Sequence, residues 1–251
     1  CELAVVIEAA PVYWFDEIDS TSEEAKRRAR RGETSPVWIA ARLQTAGKGR
    51  LGRSWVSPTG NLFTTVLFPE AGGLAAAVRV PFAAALAVRD ACVAAVPTLE
   101  PKLKWPNDVR VDGKKLSGIL TETGDTNGVV WIALGMGLNI KQAPDGVGQE
   151  ATALAEHGAQ AGLQPEHVLL DLKQALQTRL DQARSDFAQL LNNWMDHAEG
   201  HGAMVQAGPV ENRIVGVFEG LADDGGLILR LRDGERRTIR AGDVELVKQV
   251  N

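Results

Sequence analysis

The segment Ala46–Trp55, AGKGRLGRSW, combines three glycines with three cations. Glycine gives a loop the backbone freedom to fold around a bound group. Lys48, Arg50 and Arg53 supply positive charge for phosphate or carboxylate oxygens. The spacing also matches the P-loop pattern G-x-x-x-x-G-K-S, except that Arg53 stands in place of the lysine. The segment therefore predicts an anion-binding loop; the alternative is a solvated loop without a ligand.

A P-loop is disfavoured by the residues that follow. A functional P-loop comes after a strand and opens a helix. Val37–Ala41 has the composition of the preceding strand, but bulky Trp55 and Val56 come next, and Pro58 with Gly60 indicates a turn rather than a helix. We therefore expect a flexible cationic flap that closes over an anion.

The composition excludes several classes of protein. The chain has 251 residues and a formal net charge of −5, which argues against a protein that coats nucleic acid. The apolar stretch Leu74–Val96 contains Arg79, Arg89 and Asp90, so it predicts a buried helix rather than a membrane span. Leu3–Ala10 is too short for a secretory signal. We expect a cytoplasmic protein.

Metal and disulfide sites are not predicted either. Cys1 and Cys92 offer no disulfide framework and no metal-ligand spacing. The four histidines form no zinc motif. The prediction is that the protein has no metal site of its own.

Hydrophobic patterning predicts an α+β fold. A helix is expected to begin within Asp19–Glu24, where hydroxyl caps precede acidic residues, and another to start at Pro165. The predicted strands of this region are 13–18, 37–41, 61–68, 103–105, 116–122 and 129–135.

The sequence pattern changes near the C-terminus. Short apolar runs at 214–218, 227–231, 237–240 and 244–247 are separated by Asp-Gly turns such as Asp224-Gly225 and Asp233-Gly234. This pattern predicts a small all-β barrel. We place the domains at 1–205 and 206–251.

Three further motifs accompany the cationic loop. DSTS spans Asp19–Ser22, KWPNDVRVDGKKLSGIL spans Lys104–Leu120, and GMGLN spans Gly135–Asn139. In this order and at these spacings, the four segments resemble those of the biotin protein ligases, over most of the chain. Two positions depart from the family: Lys48 replaces the usual Arg, and Leu51 lies where well-known bacterial members are often basic.

The resemblance implies both a fold and a reaction. The fold is a mixed β-sheet with flanking helices, resembling the class II aminoacyl-tRNA synthetase catalytic core, followed by a small SH3-like β-barrel. The reaction couples biotin to ATP as biotinyl-5′-AMP and transfers biotin to a lysine of a biotin carboxyl carrier protein. ATP, biotin and Mg²⁺ are the implied ligands.

The same resemblance suggests catalytic residues. Lys115 is placed nearest the biotin carboxylate and the α-phosphate, with Arg50 and Lys48 contributed by the flap. Without the resemblance, Lys115 would be interpreted as an exposed lysine of the turn Asp112–Lys115. Asp108 has three open roles: it holds a catalytic lysine, assists Mg²⁺, or caps a turn.

Binding roles follow the motifs as well. The hydroxyls of DSTS match biotin contacts, although they also suit helix caps. The implied biotin contacts are Ser20, Thr21, Ser22, Gln44, Lys48, Gly49, Arg50, Lys115 and Gly118. The implied nucleotide contacts are Arg53, Trp55, Asn139 and Lys115, with Trp55 stacking on adenine.

Two other functions remain open from the sequence. One is a lipoate-protein ligase, and the other is a non-catalytic biotin-responsive regulator or binding module. Since 18 residues precede Asp19 and a helix-turn-helix module needs about fifty, we expect a monofunctional ligase. Its expected partner is the carrier domain of a biotin-dependent carboxylase. Neither nucleic acid nor a membrane is expected to bind, and the protein is expected to be a monomer or weak homodimer.

Overall fold

The structure is a computed structural model that describes residues 5–33, 35–144 and 149–247. The first part of the chain contains both helices and strands, and strands alone make up the last part. In chain order they are β1 Val12–Phe15, α1 Thr21–Arg30, β2 Val37–Ala41, β3 Leu62–Pro69, α2 Gly73–Ala77, α3 Val80–Ala95, β4 Lys102–Lys104, β5 Asp108–Val111, β6 Lys114–Thr126, β7 Val129–Leu138, α4 Pro165–Ser185, α5 Phe187–Met195, β8 Met204–Gly208, β9 Ile214–Leu221, β10 Leu227–Arg230, β11 Arg236–Ile239 and β12 Asp243–Leu246.

A seven-stranded mixed sheet forms the larger unit, with the strand order β1-β2-β3-β7-β6-β5-β4. β1 runs parallel to β2, and each of the other neighbouring pairs is antiparallel. The long pairing of β6 with β7 places Gly118 opposite Gly137 at the centre of the sheet. The predicted α+β class with a mixed sheet and flanking helices is confirmed.

Apolar residues of α3, α4 and α5 form the main core together with the sheet. Ten residues of α3 are buried, in keeping with a sequence that is apolar apart from Arg89 and Asp90. On the sheet's other face, α1 buries Ala25 and Ala29 against Ile39 and Trp131. Helices therefore pack against both faces of the sheet.

The C-terminal strands form a second sheet in the order β11-β10-β9-β8-β12. Its core is continuous with that of the larger unit, since Phe218 and Leu229 belong to the same apolar cluster. Trp105 also donates its indole N–H to the Gly225 carbonyl at 3.1 Å. The antiparallel sheet is confirmed; the SH3-like barrel and the boundary at 205/206 stay predictions.

Several local predictions differ from the structure. The helix expected over 74–96 is two helices, because Pro81 lacks the N–H that a continuous helix would require and fits only in a first turn. β5 is a strand that the pattern did not predict. The turn expected at Asp112–Lys115 ends at Gly113, where both Asp112 and Gly113 have positive φ, and Lys115 lies within β6.

Across 5–33, 35–144 and 149–247, no helix combines the length and apolar character needed to cross a bilayer.

Candidate active site

A cavity of about 500 Å³ lies between the cationic flap, the sheet and the C-terminal unit. The flap contributes one wall, β5 and β6 contribute the floor, and β12 contributes Asp243. It is lined by most of the residues that the motifs indicated. They are Lys48, Gly49, Arg50, Arg53, Trp55, Asp108, Lys115, Gly118 and Asn139.

The flap is a narrow ribbon with a tight tip. Lys48 and Ser54 form an antiparallel bridge, and the Gly49 N–H donates to the Arg53 carbonyl at 2.7 Å. At the tip, Leu51 has a φ of 55°, a left-handed conformation that costs a non-glycine residue about 1–2 kcal/mol. Leu51 is 77% exposed. The tip therefore presents its apolar side chain to solvent and the cations to the cavity side.

The outer cations of the flap are ion-paired with carboxylates of other elements. Lys48 donates to Glu23 in the first turn of α1. Arg53 pairs with Asp243 at the start of β12. These carboxylates occupy the place that an anionic ligand would take, so a ligand must compete with them for the same cations.

Arg50 is the most enclosed flap cation. It donates to Asn107 Oδ1 at 3.0 Å and to the Gly242 carbonyl at 3.3 Å, and it lies 3.5 Å from an Asp243 oxygen. Burial lowers the pKa of Arg50, and the nearby charges of Asp243 and Asp108 only partly oppose that effect. A guanidinium stays charged even so. A bound anion would therefore relieve the cost of its burial.

Lys115 lies on β6 at the cavity floor. Its Nζ is 2.7 Å from Asp108 Oδ1 on β5, and its side chain is only 15% exposed. That Asp108 oxygen is buried and accepts no well-angled hydrogen bond from any described residue, so the contact is an ion pair. This geometry favours a role for Asp108 in holding the catalytic lysine in place, and that role stays a prediction.

Trp55 packs over two glycines at the edge of the cavity. A Cβ at Gly118 would lie 2.6 Å from its ring, and one at Gly137 would lie 2.4 Å from it. Lys115 Nζ is 5.3 Å from the ring centroid. The indole N–H is buried without a partner among the described residues. Glycine is thus required at both positions for the indole to lie flat on the sheet.

A small polar pocket lies on the other side of Trp55. The backbone N–H of Thr21 donates to Gln44 Oε1 at 2.9 Å, and Thr65 Oγ1 donates to Thr21 Oγ1 at 2.9 Å. Ser22 Oγ lies 3.4 Å from Thr65 Oγ1. Ser20 caps α1 by accepting from the Glu23 N–H. The DSTS hydroxyls therefore serve helix capping and pocket lining together.

Asn139 is placed at the cavity but is engaged within the protein. Its Oδ1 accepts from Asn61 Nδ2 at 3.4 Å, and its Nδ2 donates to the Thr152 carbonyl at 3.0 Å. It is only 1% exposed. An adenine contact would need this amide to exchange one of these bonds, and the nucleotide role stays a prediction.

Three residues of the site were missed from the sequence. Asn107 belongs to the KWPND motif and contacts Arg50, so that motif was the available signal. Thr65 follows Thr64 within the otherwise apolar strand β3 and shows no separate signal. Asp243 approaches the flap only through the packing of the C-terminal sheet, which no local pattern reveals.

Within the part of the chain that the structure describes, no three His, Cys, Asp or Glu side chains are grouped so as to hold a metal ion.

The geometry agrees with comparisons to known proteins. The profile of the Biotin/lipoate A/B protein ligase family matches residues 14–139, and that of the Biotin protein ligase C terminal domain matches residues 201–247. The chain belongs to the biotin/lipoate A/B protein ligase family. The matched residues include the flap, Asp108, Lys115 and Asn139.

Relatives of this family cover nearly the whole chain. A biotin–[acetyl-CoA-carboxylase] ligase of Paracoccus denitrificans is 39% identical, over 90% of this chain and 96% of its own. One from Mycobacterium tuberculosis is 34% identical, over 90% and 85%. The biotin protein ligase of Aquifex aeolicus, solved in complex with biotin and ATP, has a TM-score of 0.78 at 26% identity, over 95% of this chain and 99% of that one. The predicted resemblance is confirmed.

Proposed function

We propose that this protein is an ATP-dependent biotin protein ligase that forms biotinyl-5′-AMP and then biotinylates a lysine of a biotin carboxyl carrier protein. The observation that carries the proposal is the arrangement of two neighbouring pockets. A polar pocket around Thr21 and Gln44 adjoins the cationic cavity that contains Lys115, and the two share Lys48 and Trp55. The relatives named above act in the same class.

The polar pocket suits the uncharged end of biotin. Its ureido group needs hydrogen-bond donors and acceptors that are fixed in place. Thr21, Ser22 and Gln44 are already ordered by one another and by Thr65. The network exists before a ligand binds, but the pocket has a free volume of only about 20 Å³, so its lining must open to admit the biotin rings.

The cationic cavity suits the two reacting anions. In the first step, a biotin carboxylate oxygen bonds to the α-phosphorus of ATP, and pyrophosphate leaves with the electron pair of the broken P–O bond. The reactants repel each other in water, so preorganised cations lower the barrier. We assign this role to Lys115 from the floor, and to Arg50 and Lys48 from the flap. Mg²⁺ enters with ATP, held mostly by the phosphates.

The second step needs exclusion of water rather than an enzyme nucleophile. The amine of the carrier lysine attacks the carbonyl of the mixed anhydride, and AMP leaves. Closure of the flap over the intermediate protects it from hydrolysis until the carrier arrives. Flap residues Gly47–Trp55 provide the cover, and release of the Arg50 and Arg53 contacts to Asp243 would allow the flap to move.

The proposal also covers nucleic-acid binding, the domain boundary, the cellular location and the oligomeric state. The net charge of −5 supports a protein that does not bind nucleic acid. The family profiles, which end at 139 and begin again at 201, support a catalytic domain at 1–205 and a C-terminal domain at 206–251. We place the ligase in the cytoplasm as a monomer or weak homodimer.

The test is a transfer assay on a carrier domain. The protein is incubated with ATP, Mg²⁺, biotin and a carrier domain, and the mass of the carrier is measured by mass spectrometry. We expect the gain of one biotinyl group, which requires ATP and the acceptor lysine. Lipoate replaces biotin in a parallel reaction. A lipoyl gain alone would favour a lipoate ligase, and biotin binding without any gain would favour a non-catalytic module.

A further inference from the structure

Asn61 is a buried polar residue to which the proposed reaction assigns no role. It lies between the flap and β3, directly before Leu62, and it is only 1% exposed. Its Oδ1 accepts hydrogen bonds from three consecutive backbone N–H groups, those of Ile140 at 2.9 Å, Lys141 at 3.0 Å and Gln142 at 3.3 Å. Its Nδ2 donates to the Gln142 carbonyl at 2.8 Å. Asn61 therefore anchors the segment that follows β7.

The same contacts decide which atom of the Asn61 amide faces Asn139. Three N–H donors require an oxygen, so the other atom of the amide is the nitrogen. That nitrogen also donates to Asn139 Oδ1 at 3.4 Å. On its other side, Asn139 Nδ2 donates to the Thr152 carbonyl at 3.0 Å. If the Asn139 amide turned over, it would place donor against donor at Asn61 and acceptor against acceptor at Thr152. Both neighbours therefore hold it in one orientation.

The orientation of Asn139 matters because this residue lines the larger cavity. An asparagine amide binds adenine with its oxygen as acceptor and its nitrogen as donor. Adenine presents its N6 amino donor beside a ring-nitrogen acceptor, which matches this pair. Guanine presents the O6 acceptor beside the N1–H donor, which is the reverse pattern. Since the ribose and the stacking on Trp55 fix how a base is placed, an amide held in one orientation suits adenine, whereas an amide free to turn over suits either base.

We propose that Asn61 is a positioning residue for nucleotide selection, which holds the Asn139 amide in the orientation that accepts adenine and rejects guanine. This inference rests on the proposed function, in which Asn139 contacts the nucleotide. Asn61 itself lies outside the cavity lining. When adenine binds, its amino group replaces the 3.4 Å bond from Asn61, which is the longer of the two bonds of Asn139. The Asn61 nitrogen then remains paired with the Gln142 carbonyl.

The proposal is tested by comparing ATP with GTP in variants of Asn61. Biotin-dependent release of pyrophosphate gives kcat/KM for each nucleotide. Asn61→Asp keeps an oxygen for the three N–H groups but replaces the donor that faces Asn139 by an acceptor, which favours the turned amide. A bidentate contact to the correct base is worth about 10- to 100-fold in selectivity. We therefore expect the ratio of kcat/KM for ATP to that for GTP to fall by this factor in Asn61→Asp, while the KM of biotin stays within twofold of the parent value.

Gln142→Ala is the matched control, because it changes the same segment without touching the anchor. Its exposed side chain donates to the Thr59 carbonyl at 3.1 Å, and its backbone bonds to Asn61 remain. Its ratio of ATP to GTP use should equal that of the parent. Asn61→Ala removes the lock without favouring the turned amide, so it should lower the ratio less than Asn61→Asp does. Biotin binding, measured by calorimetry, shows that each variant is folded.

A merely structural role for Asn61 would have a different signature. It would lower kcat/KM for ATP and GTP by the same factor in Asn61→Asp and in Asn61→Ala. The ratio between the two nucleotides would then equal that of the parent. This result would overturn the proposal.

Inosine triphosphate tests the same edge of the base in the unsubstituted protein. Its base has the O6 and N1–H of guanine but lacks the 2-amino group, so the bulk of that group plays no part in its rejection. We expect kcat/KM for inosine triphosphate to lie about 10- to 100-fold below that for ATP, and the difference to narrow in Asn61→Asp. Equal use of the two nucleotides by the parent would contradict the proposal. Failure of the parent to release pyrophosphate from ATP in the presence of biotin would instead count against the proposed function.

Discussion

Replacement of Arg50 by alanine tests the role of the flap after the first reaction. Arg50 makes hydrogen bonds at 3.0 Å and 3.3 Å with Asn107 and Gly242, and its burial lowers its pKa. In the proposed complex, the guanidinium exchanges these partners for oxygens of the intermediate. A hydrogen bond to a charged group contributes roughly 1.5–3 kcal/mol, and 1.4 kcal/mol corresponds to a factor of ten. Arg50→Ala should therefore release biotinyl-AMP about 10 to 100 times faster.

The assay follows dissociation of labelled biotinyl-AMP after dilution into unlabelled intermediate. Leu51→Ala is the matched control, since Leu51 belongs to the same flap tip but is 77% exposed. Its release rate should equal that of the parent. Equal release rates for Arg50→Ala and the parent would refute the reasoning, because the flap would then contribute nothing to retention of the intermediate.

Three further predictions follow from the structure. Burial raises the pKa of Cys92 to about 12, so iodoacetamide at pH 8 should leave this thiol unmodified in the folded protein, and rapid alkylation would contradict its burial. A hydrogen bond from Arg27 lowers the pKa of Asp19 from 3.8 to about 2, so the stabilising effect of this ion pair is complete above pH 3.8 and is lost as the pH falls through 2. The stability deficit of Asp19→Asn should therefore shrink across that range in acid titrations. A constant deficit would exclude the ion pair as its cause. Gly137→Ala would place a Cβ 2.4 Å from Trp55, so urea denaturation should show a decrease of about 1–3 kcal/mol in the free energy of unfolding. An unchanged free energy of unfolding would mean that the indole does not pack on Gly137.

The fold was predictable where local chemistry decides the structure. β2 spans Val37–Ala41 as expected, and the hydroxyl cap Ser20 begins α1 at Thr21, because these choices depend on apolar runs and capping groups within a few residues. β5 was missed, since Asp108–Val111 is short and begins with a carboxylate that a strand does not favour. It becomes a strand only by pairing with β4 and β6.

The site was predictable as a set of residues but not as a set of partners. The motifs indicated Lys48, Arg50 and Lys115, and the structure places all three on one cavity. Their carboxylate partners come from distant positions, with Glu23 on α1 and Asp243 on β12. Such contacts depend on how whole elements pack, and no spacing in the sequence encodes them.

The central claim is that Lys115 promotes the reaction of biotin with the α-phosphorus of ATP beneath the flap. It is tested most directly by formation of labelled biotinyl-AMP from biotin and α-labelled ATP, without a carrier, in Lys115→Gln and in Lys114→Gln. Lys114 is the exposed neighbour on the same strand, whereas the Lys115 side chain is 15% exposed. Since loss of one preorganised donor costs about 10²–10³ in rate, we predict that decrease for Lys115→Gln and the parent rate for Lys114→Gln. Equal rates of biotinyl-AMP formation in both variants would contradict the account.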